Sequence, residues 1–265
     1  MTDPLTTPER IAFAGDWHEN AEYAARAIRH AKNAGADVLI QLGDFGYNYG
    51  RHFLALVSAA AMYQRLPVLF IDGNHENFPK LHSYPIGADG LREVSDWVWH
   101  LPRGFRWEWS GIRFLALGGA HSVDRPWRQP GLSWWKDEAI TEEQAAQAIS
   151  GGPTDVLIAH DCPIGVDIPG LQPDAFPPLE ILRAEEHRGV LRRVVEAVRP
   201  QWIWHGHYHQ QYGQTVDLGY GPVTAVGLDC DGSDLRSNVQ VVTLANLVAL
   251  QQATAPLTFN ERSTT

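Results

Sequence analysis

Ile11-Ala-Phe-Ala-Gly-Asp-Trp-His18 joins a run of apolar residues to a glycine, a carboxylate and an imidazole. An apolar run that stops at Gly15-Asp16 predicts a buried strand followed by a loop. Residues 19–33 then carry helix-forming side chains, and Gly35 lies just beyond them, which is typical of a helix end. The stretch therefore predicts a strand, a polar loop and a helix in that order.

The same order recurs twice along the chain. Asp37-Val-Leu-Ile-Gln-Leu42 runs into Gly43-Asp44 and is followed by helix-forming residues 51–65. Pro67-Val-Leu-Phe-Ile71 then runs into Asp72-Gly-Asn-His75. Three consecutive units of this kind, with strands apolar on both faces, predict a mainly parallel sheet covered by helices.

The remaining sequence predicts further strands and two more helices. Hairpin-like strands are expected at residues 97–101, 105–109 and 112–117, a capped helix at 141–150, a buried strand at 155–159, a helix at 179–198, a strand at 201–204, and closing antiparallel strands at 211–217, 223–227 and 239–244. We expect a single domain over residues 1–265, with mobile ends at about residues 1–9 and 256–265.

Composition narrows the class of protein. A chain of 265 residues that is 44% hydrophobic can bury a sizeable core, and it contains no apolar run of the roughly 18 residues that suggest a membrane span. Met1–Arg10 is polar and lacks the features of a signal peptide, so we expect a cytoplasmic protein. Cys162 and Cys230 form no Cys-x-x-Cys pair, which predicts two reduced structural thiols.

The charge balance bears on binding partners. A formal net charge of -10 argues against an extended surface for duplex nucleic acid, which needs clustered Lys and Arg. A small phosphoester or nucleotide remains a suitable substrate, because bound divalent cations would reverse the local potential. The sequence leaves the oligomeric state open.

Five polar segments stand where predicted strands end. They are Asp16-Trp-His18, Gly43-Asp44, Gly73-Asn-His-Glu76, His160-Asp161 and Gly206-His-Tyr-His209. Loops at the carboxyl ends of strands in an open α/β sheet share one edge, so we expect these segments to form one surface. Their candidate ligands are Asp16, His18, Asp44, Asn74, His160, His207 and His209. This mixture of carboxylate, imidazole and amide suits Mn, Fe, Zn or Ni.

The ordered set Asp-x-His, Gly-Asp, Gly-Asn-His-Glu, His and Gly-His-x-His resembles the calcineurin-like metallophosphoesterase superfamily. The resemblance extends from residue 11 to about residue 227. It implies an α/β fold, a four-layer αββα sandwich of two mixed β-sheets, with a site for two divalent transition-metal ions at one edge. Manganese is expected there, with iron, zinc or nickel as alternatives.

The resemblance also implies a role for each site residue. Asp16, His18 and His209 would hold the first metal, Asn74, His160 and His207 the second, and Asp44 would bridge them. His75 would lie beside the phosphate and protonate the leaving oxygen or stabilise the transition state, for which an ordinary pKa near 6.5 is suitable. A water or hydroxide bridging the metals would be the nucleophile.

The sequence departs from the family pattern at one position. Many members continue the second motif as Gly-Asp-x-x-Asp, whereas this chain has Tyr47 and no Asp-Arg-Gly run. Phosphodiester or nucleotide-type substrates are therefore favoured, with a phosphomonoesterase or phosphoprotein phosphatase as the alternative. Glu76 replaces the frequent Asp, which is interpreted as a tolerated change beside the ligands.

Two further interpretations belong to other classes of protein. A metallo-β-lactamase-like hydrolase could use His205-Gly-His-Tyr-His209 as a zinc motif, but that motif continues as Asp-His where this chain has His209-Gln210. A non-catalytic scaffold of the same fold would be expected to lack ligands or His75, and none of these is missing.

Other chemistry-bearing residues receive structural interpretations. Surface or core positions are expected for His30, His52, His82, His100, His121, His187 and His205, and cross-strand packing for Trp97, Trp99, Trp107 and Trp109. Asp161 is expected to orient its neighbours or to cap a turn before Pro163 rather than to bind metal, and turn formation by Asp229 and Asp231 is favoured over an approach to the site. In the loop from Arg125 to Trp135, surface packing of Trp127, Trp134 and Trp135 is favoured over base stacking, and over phosphate binding by Arg125 or Arg128. Specificity is expected in loops 46–52, 121–136 and 161–178.

Overall fold

The computed structural model describes residues 3–247. In this range the strands are β1 (Arg10–Ala14), β2 (Val38–Gln41), β3 (Val68–Phe70), β4 (Arg92–Ser95), β5 (Val98–His100), β6 (Arg106–Trp109), β7 (Ile112–Leu117), β8 (Val156–Ala159), β9 (Trp202–His205), β10 (Tyr212–Asp217), β11 (Pro222–Gly227) and β12 (Val239–Thr243). The helices are α1 (Ala21–Asn33), α2 (Arg51–Gln64), α3 (Phe78–Ser83), α4 (Glu142–Ser150), α5 (Pro178–Val198) and α6 (Leu235–Asn238). Among these helices, none combines the length and the apolar character that crossing a membrane requires.

The strands form two six-stranded mixed sheets. The first has the order β12-β1-β2-β3-β5-β4, and the second has the order β10-β11-β9-β8-β7-β6. In each sheet four central strands are parallel, and the strand at each edge is antiparallel to its neighbour. The carboxyl ends of the parallel strands therefore lie at one edge of each sheet.

Three apolar clusters make this a four-layer αββα sandwich. Alternate residues of a strand face opposite sides of the sheet, so Ala12 and Ala14 of β1 pack beneath α1 and α2, whereas Ile11 and Phe13 pack between the sheets. Phe13 stacks there on Trp204 of β9, with ring centroids 4.1 Å apart. A third cluster fills the space between the second sheet and helices α4 and α5. The predicted fold class is confirmed.

Most predicted elements lie within a few residues of their observed bounds, with three differences. The hairpin-like series predicted at 97–117 is divided, because β5 pairs with β3 and β4 in the first sheet whereas β6 and β7 form a hairpin in the second. The predicted closing strand at 223–227 is antiparallel to β10 but parallel to β9, so it is an internal strand rather than a closing antiparallel one. No element was predicted between residues 78 and 95, where α3 and β4 lie. The side chain of Asn77 caps α3, and β4 is an edge strand with one buried residue.

The predicted mobile ends are only partly within the described range. Residues 1, 2 and 256–265 lie outside it. Residues 3–9 lie against the protein, because Trp109 donates a hydrogen bond from Nε1 to the carbonyl of Leu5 at 2.7 Å and Leu5 packs against the cluster between the sheets. Asp37 Oδ2 accepts hydrogen bonds from the backbone N–H groups of Glu9 and Arg10.

Candidate metal centre

The five polar segments follow the carboxyl ends of central strands and meet at one edge of the sandwich. Three lie on loops after β1, β2 and β3 of the first sheet, and two lie on loops after β8 and β9 of the second. A hydrogen bond joins the two sheets at this edge, because His160 Nδ1 lies 2.7 Å from the carbonyl oxygen of Leu42. The site is therefore a junction between the sheets.

Asp44 stands between two groups of imidazoles. Its Oδ2 lies 3.4 Å from His18 Nε2, and its Oδ1 lies 3.3 Å from His160 Nε2. The carboxylate is buried. Burial raises its pKa, but the surrounding imidazoles, His160 first among them, outweigh burial and hold the pKa well below its usual range. One carboxylate thus faces both halves of the site.

Asp16 is the second fully buried carboxylate of the centre. Its Oδ2 lies 3.2 Å from His209 Nε2 and 4.0 Å from His18 Nε2. The backbone N–H of His207 donates to both of its carboxylate oxygens, at 3.2 and 3.1 Å. Donor atoms lie within 4.8 Å of one another in two sets, Asp16 with His18 and His209, and Asp16 with Asp44 and His160.

Hydrogen bonds define the orientation of the His160 ring and the Asn74 amide. The carbonyl of Leu42 can only accept, so Nδ1 of His160 carries a proton and Nε2 faces Asn74 Oδ1 at 3.0 Å. On the other side of the amide, Asn74 Nδ2 donates to Ser122 Oγ at 2.9 Å, and that hydroxyl donates to Glu138 Oε2 at 2.8 Å. Ser122 and Glu138 therefore point the amide oxygen of Asn74 into the site.

Asp231 orients His18. Its Oδ1 accepts from His18 Nδ1 at 2.7 Å, and its Oδ2 accepts from Asn20 Nδ2 at 2.8 Å. The interpretation of Asp231 as only a turn former was wrong, since its carboxylate leaves Nε2 of His18 to face Asp44. Asp229 keeps a local role, because its side chain accepts from the backbone N–H of Cys230. The sequence signal for the role of Asp231 was the position of this carboxylate in the loop after strand β11.

The histidines differ in charge because their surroundings differ. Burial lowers the pKa of His18, His160 and His209, but the neighbouring carboxylates outweigh it and raise these values to about 12, 9 and 10. The half-buried His207 has its ring centroid 5.0 Å from that of His160, and desolvation of its ring lowers its pKa to about 3. The surroundings of His18, His160 and His209 therefore favour a positive charge on or beside the ring, whereas those of His207 favour a neutral ring.

The backbone at the site is unusual. His18, Asp44, His207 and His209 all have positive φ, at 45°, 52°, 69° and 51°. Non-glycine residues seldom adopt this conformation, and it costs of order 1–3 kcal/mol at each position. Hydrogen bonds from the backbone N–H groups of Trp17 and His18 to the carbonyl of Asp44 hold two of these turns. Such strain is typical of functional sites.

Two motif glycines allow the loops to approach one another. A Cβ atom at Gly73 would overlap the backbone nitrogen and Oδ1 of Asp44, and one at Gly206 would overlap Oδ1 of Asp16. Any larger residue would push a loop away from its carboxylate. These glycines are therefore required by the close packing of the site.

Glu76 ties together the loops after β2 and β3. It is fully buried, and it accepts hydrogen bonds from the backbone of Phe45 at 2.8 Å and from Tyr49 Oη at 2.6 Å. Burial, opposed by the Tyr49 hydroxyl, raises its pKa to about 8. The predicted place beside the ligands is confirmed.

Asp161 orients its neighbours as expected. Its Oδ1 accepts from Tyr208 Oη at 2.6 Å, and its Oδ2 accepts from His187 Nδ1 at 2.6 Å, so it holds the loop that carries His207. His205 is a buried core residue whose Nε2 lies 2.7 Å from Tyr212 Oη. His100 and His121 are likewise buried and paired with Asp72 and Glu180.

His75 borders a cleft of about 340 Å³, called here the His75 cleft, which is lined by Tyr47, His75, Asp124, Arg128, Leu132 and Trp135. The Tyr47 ring meets the His75 ring edge-on, with centroids 5.5 Å apart. Burial lowers the pKa of His75, although Asp44 and Asp124 oppose this effect. The backbone N–H of His75 donates to Asp44 Oδ1 at 2.8 Å.

The loop from Arg125 to Trp135 is partly packed and partly open. Trp134 donates from Nε1 to Glu138 at 2.7 Å, and the Arg125 guanidinium lies over its ring. Trp127 is 66% exposed and lies near Phe176. In the sheets, Trp99, Trp107 and Trp109 are buried, and Trp107 stacks on its cross-strand partner Phe114, which confirms the packing predicted for them. Cys162 and Cys230 form no disulfide within residues 3–247.

The donor set fits two divalent cations. Nε2 of His160 and Nε2 of His18 both face oxygen atoms, and neither ring can donate from that nitrogen while it is neutral, because the other ring nitrogen is committed to Leu42 or Asp231. Lone pairs that face each other repel unless a cation or a proton lies between them. The residues of the centre are thus arranged for positive charge.

Comparisons with known proteins bear on the family and the fold. Residues 9–211 match a family model described as calcineurin-like phosphoesterase. The chain is 26% identical over 250 residues to a lariat debranching enzyme of Saccharomyces cerevisiae, an alignment that covers 79% of this chain and 59% of that protein. The chain therefore spans less than two thirds of that relative.

Two solved structures share the fold. A dimetal phosphatase from Danio rerio has a TM-score of 0.55 at 16% identity, with 91% of this chain and 93% of that chain covered. A protein of Thermus thermophilus has a TM-score of 0.51 at 14% identity, with 90% and 99% covered.

Proposed function

Because the chain belongs to the calcineurin-like phosphoesterase family, we propose that it hydrolyses phosphodiester or nucleotide-type substrates at a dinuclear metal site. Metal-dependent hydrolysis of phosphoesters follows from the family, and the substrate class is our proposal. The observation that carries the dinuclear site is the Asp44 carboxylate, whose two oxygens face His18 and His160 at 3.4 and 3.3 Å. A carboxylate between two groups of imidazoles suits a bridging ligand.

We propose the remaining ligands from the family pattern, and the clustered donor atoms of Asp16, His18 and His209 support the first set. Asp16, His18 and His209 would hold the first ion, and Asn74, His160 and His207 the second. The imidazole and oxygen donors suit a borderline transition metal, and manganese is the ion that we propose. The position of His207 supports its assignment, because its ring centroid lies 5.0 Å from that of His160.

When bound, the two cations supply shielding for the phosphoryl oxygens and lower the pKa of the attacking water. The residues of this chain then position the reactants. Asp231 and Ser122 hold His18 and Asn74 in place. Asp44 also holds the His75 turn, since it accepts the backbone N–H of His75.

His75 is the proposed general acid. Its ring lies at the mouth of the site and contacts Tyr47, and it belongs to neither set of clustered donor atoms. Burial lowers its pKa, which makes the imidazolium a stronger acid and favours proton transfer to a poor leaving group. It would donate its proton to the leaving oxygen as the bond to phosphorus breaks.

Tyr47 supports a diester over a phosphoprotein substrate. The Tyr47 ring occupies the position at which many members of the family have an acidic residue, and it lines the His75 cleft.

We propose that the partner is a small phosphoester or nucleotide, that the protein is cytoplasmic, and that it binds neither a membrane nor an extended stretch of duplex nucleic acid. Cell fractionation with a tagged chain tests the compartment.

The test is metal analysis combined with a substrate panel. We expect about two metal equivalents per chain and hydrolysis that is lost on chelation and restored by Mn²⁺. The panel compares a phosphomonoester, a phosphodiester, 2',3'- and 3',5'-cyclic nucleotides and a phosphopeptide, each with Mn, Zn, Ni and Mg. Activity that survives complete metal removal would contradict the metal-dependent mechanism. A preference for the phosphopeptide would support a protein phosphatase instead. A metal-loaded chain without activity on any substrate would support a non-catalytic scaffold.

A further inference from the structure

The His75 cleft has the size and position of a binding site for part of a substrate. Its volume of about 340 Å³ lies within the roughly 300–1,000 Å³ typical of small-molecule sites. One wall is the loop after β2, which carries Tyr47, and the other is the loop between β7 and α4, which carries Asp124 and Trp135. His75 belongs to the lining, so the cleft adjoins the reacting group.

Two aromatic side chains line this cleft without being buried. Tyr47 is 40% exposed, although its ring stacks near His18 at 5.8 Å and meets His75 at 5.5 Å. Trp135 is half-buried, and the neighbouring Leu132 is 67% exposed. Core packing does not account for exposed aromatic faces beside a reactive centre. A planar ring of a ligand would cover them and gain stacking free energy.

Asp124 supplies an incomplete polar contact in the same cleft. Its Oδ1 is buried and has no hydrogen-bond partner among residues 3–247, since the nearest Arg128 nitrogen lies 3.6 Å away. Oδ1 is out of reach of solvent and therefore of a ligand, so a ligand that donates an O–H or N–H would meet Oδ2 of this side chain, which is 35% exposed. Oδ2 lies 4.0 Å from His75 Nε2. The donor would therefore sit close to the proposed general acid.

Arg128 is a fixed wall of the cleft rather than a free anion receptor. Its Nε donates to the carbonyl of Ser133 at 2.6 Å, and its two terminal nitrogens are directed at Ser122, Glu138 and the carbonyl of Asn74. Arg125 is also engaged, because its guanidinium lies 4.5 Å from the Trp134 ring centroid. The cleft therefore favours a neutral ring with hydrogen-bond donors over a second phosphate.

We propose that the His75 cleft binds the leaving group of the substrate, and that this group is a nucleoside. The inference rests on the proposed function. Water oxygen bonds to phosphorus, the P–O bond to the nucleoside breaks with its electron pair on the nucleoside oxygen, and that oxygen takes a proton from His75, while the proton of the water passes to solvent. The base stacks against Tyr47 and Trp135, and a hydroxyl or amino group donates to Asp124.

A pair of diesters with the same nucleotide on the non-leaving side tests the proposal. One is a dinucleoside monophosphate, and the other is the methyl ester of the same nucleotide. In Tyr47→Ala and Trp135→Ala we expect kcat/KM for the dinucleotide to fall by about 5- to 150-fold, the range for the loss of one stacked base. For the methyl ester we expect Trp135→Ala to keep kcat/KM within about 2-fold of the wild-type value, because methanol cannot stack. Tyr47→Ala should lose less on the methyl ester than on the dinucleotide, and its loss on the methyl ester reports the contact of this ring with His75.

Asp124→Asn and Trp127→Ala complete the set of variants. Asp124→Asn should lower kcat/KM for the dinucleotide more than for the methyl ester, whose smaller loss reports the effect of this carboxylate on His75. Trp127→Ala is the matched control, since this exposed tryptophan does not line the cleft. Calorimetric titration with the free nucleoside gives a readout independent of turnover, and the three cleft variants should weaken its binding. Metal content should remain at the wild-type value in all four variants.

Equal losses on the two esters would overturn the proposal, because the side chains would then act on the phosphoryl group or on the metal site. Unchanged dinucleotide hydrolysis and nucleoside binding in all three cleft variants would overturn it as well. A metal-loaded wild-type protein that cleaves neither ester would instead overturn the proposed function itself.

Discussion

Asp44 and His160 face each other across the junction of the two sheets, with Oδ1 and Nε2 3.3 Å apart. Both side chains are buried, and one belongs to the loop after β2 while the other belongs to the loop after β8. Neither sheet alone contains this pair. The site therefore depends on the packing of the two sheets against each other, which places the oxygen and nitrogen donors at one edge.

Asp44→Asn should disable both halves of the centre. The amide keeps the shape of the side chain but removes the negative charge that faces His18 and His160, so we expect less than one tightly bound metal per chain. The loss of metal affinity should exceed the roughly 10- to 100-fold typical of residues that only support a ligand. Metal analysis after gel filtration measures it. Glu142, an exposed carboxylate on α4, provides the control, and Glu142→Gln should keep two metal equivalents per chain. If Asp44→Asn also keeps two equivalents, Asp44 is not a bridging ligand.

Ser122→Ala should selectively weaken the binding of one of the two metals. Without the hydroxyl, Asn74 Nδ2 loses its acceptor and the amide is free to rotate away from the site. We expect affinity for the second metal to fall by roughly 10- to 100-fold, while the first metal keeps its affinity. Titration with Mn²⁺ against a competing chelator should then show one tight site and one weak site. Ser150→Ala on the surface is the control, and equal weakening of both sites would contradict the assignment of Asn74.

Asp231→Asn should have the opposite selectivity. The carboxylate that faces His18 Nδ1 at 2.7 Å strengthens the basicity of Nε2, and the amide would not. The same titration should show a loss of roughly 10- to 100-fold at the first site alone. Asp229→Asn, in the same loop but without contact to His18, is the matched control. If Asp231→Asn weakened the same site as Ser122→Ala, the division of ligands between two metals would be wrong.

The ligand segments were predictable from sequence because strand ends have a simple signature. Strands such as Val38–Gln41 and Val156–Ala159 are buried on both faces and end shortly before a polar ligand residue, which places that residue at the sheet edge. Pairing direction was less predictable. Pro222–Gly227 reads as a strand, but nothing in its pattern distinguishes its parallel partner β9 from its antiparallel partner β10.

The residues that orient the proposed ligands were harder to predict, because their partners are distant in sequence. Asp231 is 213 residues from His18, and Ser122 is 48 residues from Asn74. The positive φ of His18 and Asp44 could not be predicted either, since tertiary hydrogen bonds rather than local preference impose it. Short elements such as Phe78–Ser83 depend on one capping side chain and on packing, and they have no extended periodicity.

His75→Ala distinguishes the two roles proposed for this residue. The ring lies outside both sets of clustered donor atoms, and its backbone N–H to Asp44 survives the substitution, so two metal equivalents should remain. We expect kcat to fall by roughly 10²- to 10⁴-fold on an alkyl diester. Loss of metal would indicate a ligand, and an unchanged kcat would reject both roles. His30→Ala on α1 is the control.

The leaving group then separates proton donation from electrostatic stabilisation. A p-nitrophenolate is a stable anion and needs little protonation, whereas an alkoxide is a strong base and cannot leave without a proton. If His75 is the general acid, the loss caused by His75→Ala should therefore shrink by at least about 10-fold on a p-nitrophenyl diester compared with a methyl diester. A loss of the same size on both esters would mean that the imidazole stabilises the charge on the phosphoryl oxygens, because that charge develops whichever group leaves.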